Sequence, residues 1–175
     1  DIQGIVNMTR RVQQHMASIG NMSRITLSIN PFIPKPFTPF QWMAMCDKKV
    51  VEHRLAYIKK ELGKDKQIEI LAEPLRQCYI QGVLSRGGRR VGKLLALACR
   101  YGGVKGWKRA AKELHFDIKK ALYTERPTDA MLPWNILDSG LSPDYLVHEL
   151  EQARKGAFTI PCFPGCHRCH VCGGI

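Results

Sequence analysis

Two kinds of hydrophobic spacing alternate over the first part of the chain, and one kind takes over afterwards. In residues 1–19, Ile2, Ile5, Val6, Thr9, Val12, Met16 and Ile19 recur at intervals of three and four, and Gly20-Asn21 ends the run, which predicts a helix. Residues 24–30 switch to a period of two, with Ile25, Leu27 and Ile29 on one face and Thr26, Ser28 and Asn30 on the other, as in a strand with one polar face. Four prolines within 31–42 forbid a helix or a central strand and predict a rigid extended loop. Asp47 is placed to cap a helix over 48–62 whose inner face is Val51, Leu55, Ile58 and Leu62, with Gly63 as its stop. A second strand follows at 67–73. Helix, strand, helix, strand is the repeat of an α/β sheet with parallel strands. Two such strands cannot bury both sheet faces, so further strands are expected upstream, and the start of the chain reads as a piece cut from a longer protein.

After Pro74 only helical spacing remains. Helices are predicted over 75–85, 90–100, 106–114 and near 117–123, with Trp107, Ala110, Ala111 and Leu114 inward in the third. Ser142 as N-cap, Pro143 in the first turn and Gly156 past the end mark one more. The remainder, 157–175, is too rich in Gly, Pro and Cys for regular structure. The expected division is therefore 1–73, an α/β portion; 74–156, a helical basic portion; and 157–175, a cysteine-rich tail.

Charge sharpens this division. The chain carries a formal +12 over 175 residues, of which +11 falls within 47–126. From Arg76 to Lys112 there are ten Lys or Arg residues and no Asp or Glu. A one-sign stretch of this length faces a polyanion or docks against an acidic part of the same protein. Arg86, Arg89, Arg90, Lys93, Lys105, Lys108 and Arg109, with Tyr101 and Trp107 among them, are the candidate RNA contacts, although Trp107 fits the core better than a stacking platform. No apolar run reaches the roughly 18 residues of a membrane span.

Cys162, Cys166, Cys169 and Cys172 stand in a C-x3-C-x2-C-x2-C pattern. Cys46, Cys78 and Cys99 are scattered and expected to be small buried hydrophobes. An odd total with four cysteines clustered points to metal ligation in a reducing cytoplasm, not to a disulfide framework. The first three of the cluster match the spacing that holds a four-iron four-sulfur centre with one iron open to S-adenosylmethionine. Cys172 adds a fourth thiolate that would close that iron, and Arg168 stands where that motif has an aromatic residue, so a cleaving cluster is excluded. An iron–sulfur centre and a structural zinc both remain open. His167 and His170 read as exposed tail residues, and His15, His53, His115 and His148 as structural or surface groups.

The segments "NPFIPKPFTPFQW", "LSRGGRRVGKLL" and "LPWNILDSGLSPDYLVHELEQARKG", together with the terminal cysteines, resemble the C-terminal part of radical S-adenosylmethionine proteins that carry a cobalamin-binding-type domain. The resemblance implies an α/β class in which residues 1–73 are the distal part of a partial (β/α) barrel, followed by a mainly helical extension. It implies that Ser28, Asn30, Pro31 and Phe32 lie near the S-adenosylmethionine pocket. It also implies that the cleaving four-iron four-sulfur cluster, and any cobalamin, belong to an upstream part of the same protein, its expected partner. The chain departs from the family at Gly88, where Asp is usual, and at His170, where Gly is usual. By itself the chain is expected to be inactive toward S-adenosylmethionine.

Overall fold

The computed structural model describes residues 1–171 and is mainly helical, with seven α-helices and one pair of strands among the described residues. It divides into two compact units, the first made of Asp1–Phe32 and Cys46–Cys78, the second of Ile33–Met45 and everything from Tyr79 onward.

The first unit runs α1 (Ile2–Ser18), β1 (Ile25–Ile29), α2 (Lys48–Leu62) and β2 (Ile68–Ala72). The strands pair in parallel, with Ile25 opposite Ile68 and Ile29 opposite Ala72. Val6, Ile58, Leu62 and Ile68 form the buried centre, and Ile2, Ile5, Leu27, Ile29 and Ile70 pack against it. Asp47 caps α2 as its position predicts, its carboxylate accepting from the Lys49 N–H at 2.8 Å. The opposite sheet face, with Thr26, Ser28, Glu69 and Leu71, is exposed.

This corrects the expected partial barrel. A barrel needs a run of parallel strands that closes on itself, and the described residues hold two strands of five residues each. After Ala72 the regular elements among the described residues are all helical. The α/β portion is a single β-α-β unit preceded by α1, inside a mainly helical chain.

In the second unit α3 (Leu75–Arg86), which starts in the first, is followed by α4 (Arg90–Arg100), a 3-10 turn at Gly103–Lys105, α5 (Trp107–Glu113), α6 (Ile118–Tyr123) and α7 (Pro143–Arg154). The proline-rich loop belongs here, not with the β-α-β unit. Trp42 joins Leu132, Trp134, Leu146 and Leu150 in one core, with Phe37, Phe40, Leu141 and Tyr145 around it. Two of the segments that carry the family resemblance, the proline-rich loop and 132–156, are thus one packed body. Gly82 allows close approach within this unit: a Cβ there would lie 2.2 Å from the Met45 sulfur and 2.8 Å from Leu122 Cδ2. No helix of the described residues is long and apolar enough to cross a membrane.

Candidate functional site

The cysteine tail folds back onto the start of α7. The Ser142 backbone N–H, at the helix N-cap, donates to the Cys169 carbonyl at 3.1 Å. Further back along the tail, the Thr159 hydroxyl donates to the Glu149 carboxylate at 2.9 Å. Cys166 ends a turn closed by its own N–H on the Phe163 carbonyl at 3.0 Å, with Gly165 at φ +81° inside it. His170 follows Cys169 at φ +65°. That is the left-handed region which glycine enters freely and His enters at a cost. His170 thus stands where a glycine would be free of strain.

Arg168 organises this loop. Its Nε–H donates to Cys166 Sγ at 3.2 Å, its Nη2 donates to the carbonyls of both Ile160 (2.8 Å) and Pro161 (3.2 Å), and its guanidinium lies over the Phe163 ring at 5.8 Å. The hydrogen bond from Arg168 holds the Cys166 thiol below the usual thiol range. Cys166 is buried, Cys169 half-buried and Cys162 exposed. Among the described residues no three His, Cys, Asp or Glu side chains are grouped to hold a metal ion. Cys172, the fourth expected ligand, lies outside the described residues. What the tail offers a metal is one thiol biased toward thiolate, two more within the same loop, and a cation to offset the negative charge of a thiolate shell.

The residues expected beside a nucleotide lie in β1 and just after it. Ser28 is exposed on the open face of β1. Asn30 ties the two strand ends together, its Oδ1 accepting from the Glu73 N–H at 3.1 Å. Pro31 is half-buried and Phe32 exposed. Asn30 thereby satisfies a neighbouring backbone group.

The basic residues separate into two sets. Arg86 is fully buried and donates to three carbonyls: Ala121 at 2.9 Å, Thr124 at 2.6 Å and Met43. Burial, and then the charge of Arg126, push its pKa down to about 10, which leaves it charged at neutral pH. Arg90 donates to the carbonyls of Leu114 (2.7 Å) and His115 (3.2 Å), and Arg109 lies over the Tyr101 ring at 4.0 Å. These three arginines hold the helices together, and Arg86 is removed from the candidate nucleic-acid contacts. Arg89, Lys93, Lys105 and Lys108 are exposed. Trp107 is core, as its place in the pattern predicts. Of the scattered cysteines only Cys78 is buried; Cys46 and Cys99 are exposed, which corrects the expectation for both.

A cavity of about 450 Å³ in the second unit was not foreseen. Trp42, Trp134, Leu132, Leu141 and Leu146 form much of its wall, and Asp138 is the one charged residue among its lining. Its residues come from 37–42 and 128–146, which no local pattern joins.

Over 97 residues, 54% of this chain, the sequence is 30% identical to an uncharacterized protein of Methanocaldococcus jannaschii. The match covers 19% of that protein, so the chain corresponds to about a fifth of its length. No protein-family model matches the chain. No solved structure matches it.

Proposed function

We propose that this chain is the C-terminal region of a larger radical S-adenosylmethionine protein, and that its cysteine tail holds an auxiliary iron–sulfur cluster or a zinc ion. The observation that carries the reading is the folded-back tail, in which Arg168 donates to Cys166 and biases it toward the thiolate in the same tail as Cys162 and Cys169. Thiolate is the form that ligates either metal. Cys172 would supply the fourth sulfur, and a shell of four leaves no open iron for a nucleotide donor. The enzyme class comes from the sequence resemblance alone. In that class the cleaving cluster, the S-adenosylmethionine pocket and any cobalamin would sit elsewhere in the protein, and the substrate would be met there.

The test is metal analysis and an absorption spectrum of the chain purified without air. About one metal centre per chain is expected, brown for iron–sulfur or colourless for zinc. After reconstitution with iron and sulfide, added S-adenosylmethionine and dithionite should yield no 5′-deoxyadenosine. Its formation would show an open iron and end the reading, as would a chain that takes up neither metal.

A further inference from the structure

Along α4, Arg89, Lys93, Ala96 and Arg100 are spaced four, three and four apart, so they form one row parallel to the helix axis. All four are exposed. The buried residues of the helix, Val91, Leu94 and Ala98, lie on the opposite side, so the row points straight away from the core. The three cations sit at axial intervals of about 6 and 10.5 Å. None of them makes an ion pair among the described residues.

Two further features mark this face. The first turn of α4 contains no acidic residue, and Arg89 and Arg90 both stand at its N-terminal end, where the helix dipole already favours negative charge. Gly92, beside the row, is exposed in a helix interior, and a Cβ there would meet nothing within 4 Å. No packing among the described residues accounts for a residue that weakens the helix. A bare backbone does suit a partner that approaches closely.

The nature of the partner follows from what the row lacks. Protein interfaces anchor on aromatic and aliphatic side chains, whereas the row itself holds only Ala96 besides its cations, and the exposed Leu95 stands off it, more than about 90° around the helix. A membrane-surface helix turns its apolar face to lipid, whereas Val91, Leu94 and Ala98 of α4 are spent on the core and Leu95 is its one exposed large apolar side chain. Regular unpaired cations without apolar anchors fit a polymer of regular negative charge. We propose that the solvent face of α4 contacts the phosphate backbone of a nucleic acid through Arg89, Lys93 and Arg100. The nearest ring, Tyr101, is covered by Arg109, so the contact is to phosphates and independent of sequence.

The test uses the full chain and fluorescently labelled oligonucleotides at low salt: single-stranded RNA, an RNA hairpin, and duplex DNA. The triple variant R89Q/K93Q/R100Q is compared with K59Q/K60Q/K64Q, which removes the same charge from exposed positions of the first unit. Wild-type protein should bind, and RNAs of unrelated sequence should bind alike. The α4 variant should lose about tenfold or more and flatten the slope of log K against log salt by about two, as expected for three lost phosphate contacts. The control variant should retain most of the affinity. Gly92→Ala should raise the melting temperature while weakening binding. Absence of nucleic-acid binding, equal losses in both triple variants, or equally tight binding to polyglutamate or phosphatidylserine vesicles would each overturn the proposal.

Discussion

Two tryptophans of one core differ in how the indole N–H is satisfied, and Trp134 also lies under the Arg126 guanidinium at 5.5 Å. The Trp134 indole N–H donates to Gln41 Oε1 at 2.7 Å, while the Trp42 indole N–H is buried with no partner among the described residues. Replacing either ring by phenylalanine removes the same volume, so the cavity costs should be similar. Trp134→Phe also breaks a made bond, and Trp42→Phe removes a donor that was already paying for its burial. The first substitution should therefore be the more destabilising by about 1–2 kcal/mol, measured by urea unfolding followed by circular dichroism; equal losses would mean that the two indoles are equally well satisfied. Arg86 gives a harder test. Arg86→Met leaves the carbonyls of Met43, Ala121 and Thr124 without their donor, and a loss of about 3 kcal/mol or more is expected. Arg86→Lys should rescue little, because one ammonium cannot reproduce the planar fork that meets three acceptors. If either variant melts like the parent, the guanidinium is not holding the loop and α6 to α3.

Within the first unit, Asp65 ties the start of β2 to α1. Its carboxylate accepts from Gln13 (2.9 Å), from the Gln67 backbone N–H (3.0 Å) and from Arg10 (2.8 Å). The Gln13 amide first, then the Gln67 N–H and Arg10, hold its pKa below the ordinary 3.8. A carboxyl depressed in the folded state adds stability that is fully present above its unfolded pKa and disappears as pH falls through the lower folded value. Asp65→Asn should thus lower stability at neutral pH and flatten the loss of stability at acid pH, read from melts across that range; an unchanged acid limb would remove Asp65 from the linkage. At this scale the sequence was largely readable. Spacing and the Asp47 cap sufficed for α2, spacing for α4, and Pro143 for the start of α7. Ser142 was placed correctly at the N-cap, but its side chain makes no capping bond; its backbone bond to Cys169 depends on a tail 27 residues away. The barrel failed for a different reason. Local periodicity reports strand, helix, strand, but the number of strands in a sheet is a property of the whole chain. Cys99 stands next to buried Ala98, a step of about 100° around the helix, which carries it off the buried face. Arg86 was read as surface because a charge ordinarily is. Its burial depends on acceptors at 43, 121 and 124, which no spacing rule connects.

For the molecule as a whole, the division into units decides what can be measured. All three tryptophans (42, 107 and 134) lie in the second unit, which also holds the cysteine tail. Tryptophan emission therefore follows the unfolding of that unit by itself. A metal that binds the folded tail and not the unfolded chain must stabilise the unit it belongs to, by about 2.7 kcal/mol when free metal exceeds the dissociation constant a hundredfold. The tail reaches the tryptophan core through α7: Ser142 bonds to Cys169 at one end of the helix, and Leu146 and Leu150 pack into that core from its middle. Loading metal should raise the melting temperature read by tryptophan emission, and chelation should reverse it. Arg168→Gln, which removes the Cys166 hydrogen bond but no sulfur, should weaken metal binding about tenfold or more while leaving the stoichiometry at saturation unchanged. Cys166→Ser should lower the stoichiometry itself. If metal binds yet the tryptophan-reported transition stays where it was, the tail holds its metal as an appendage, and the bond between Ser142 and Cys169 does not couple it to the core.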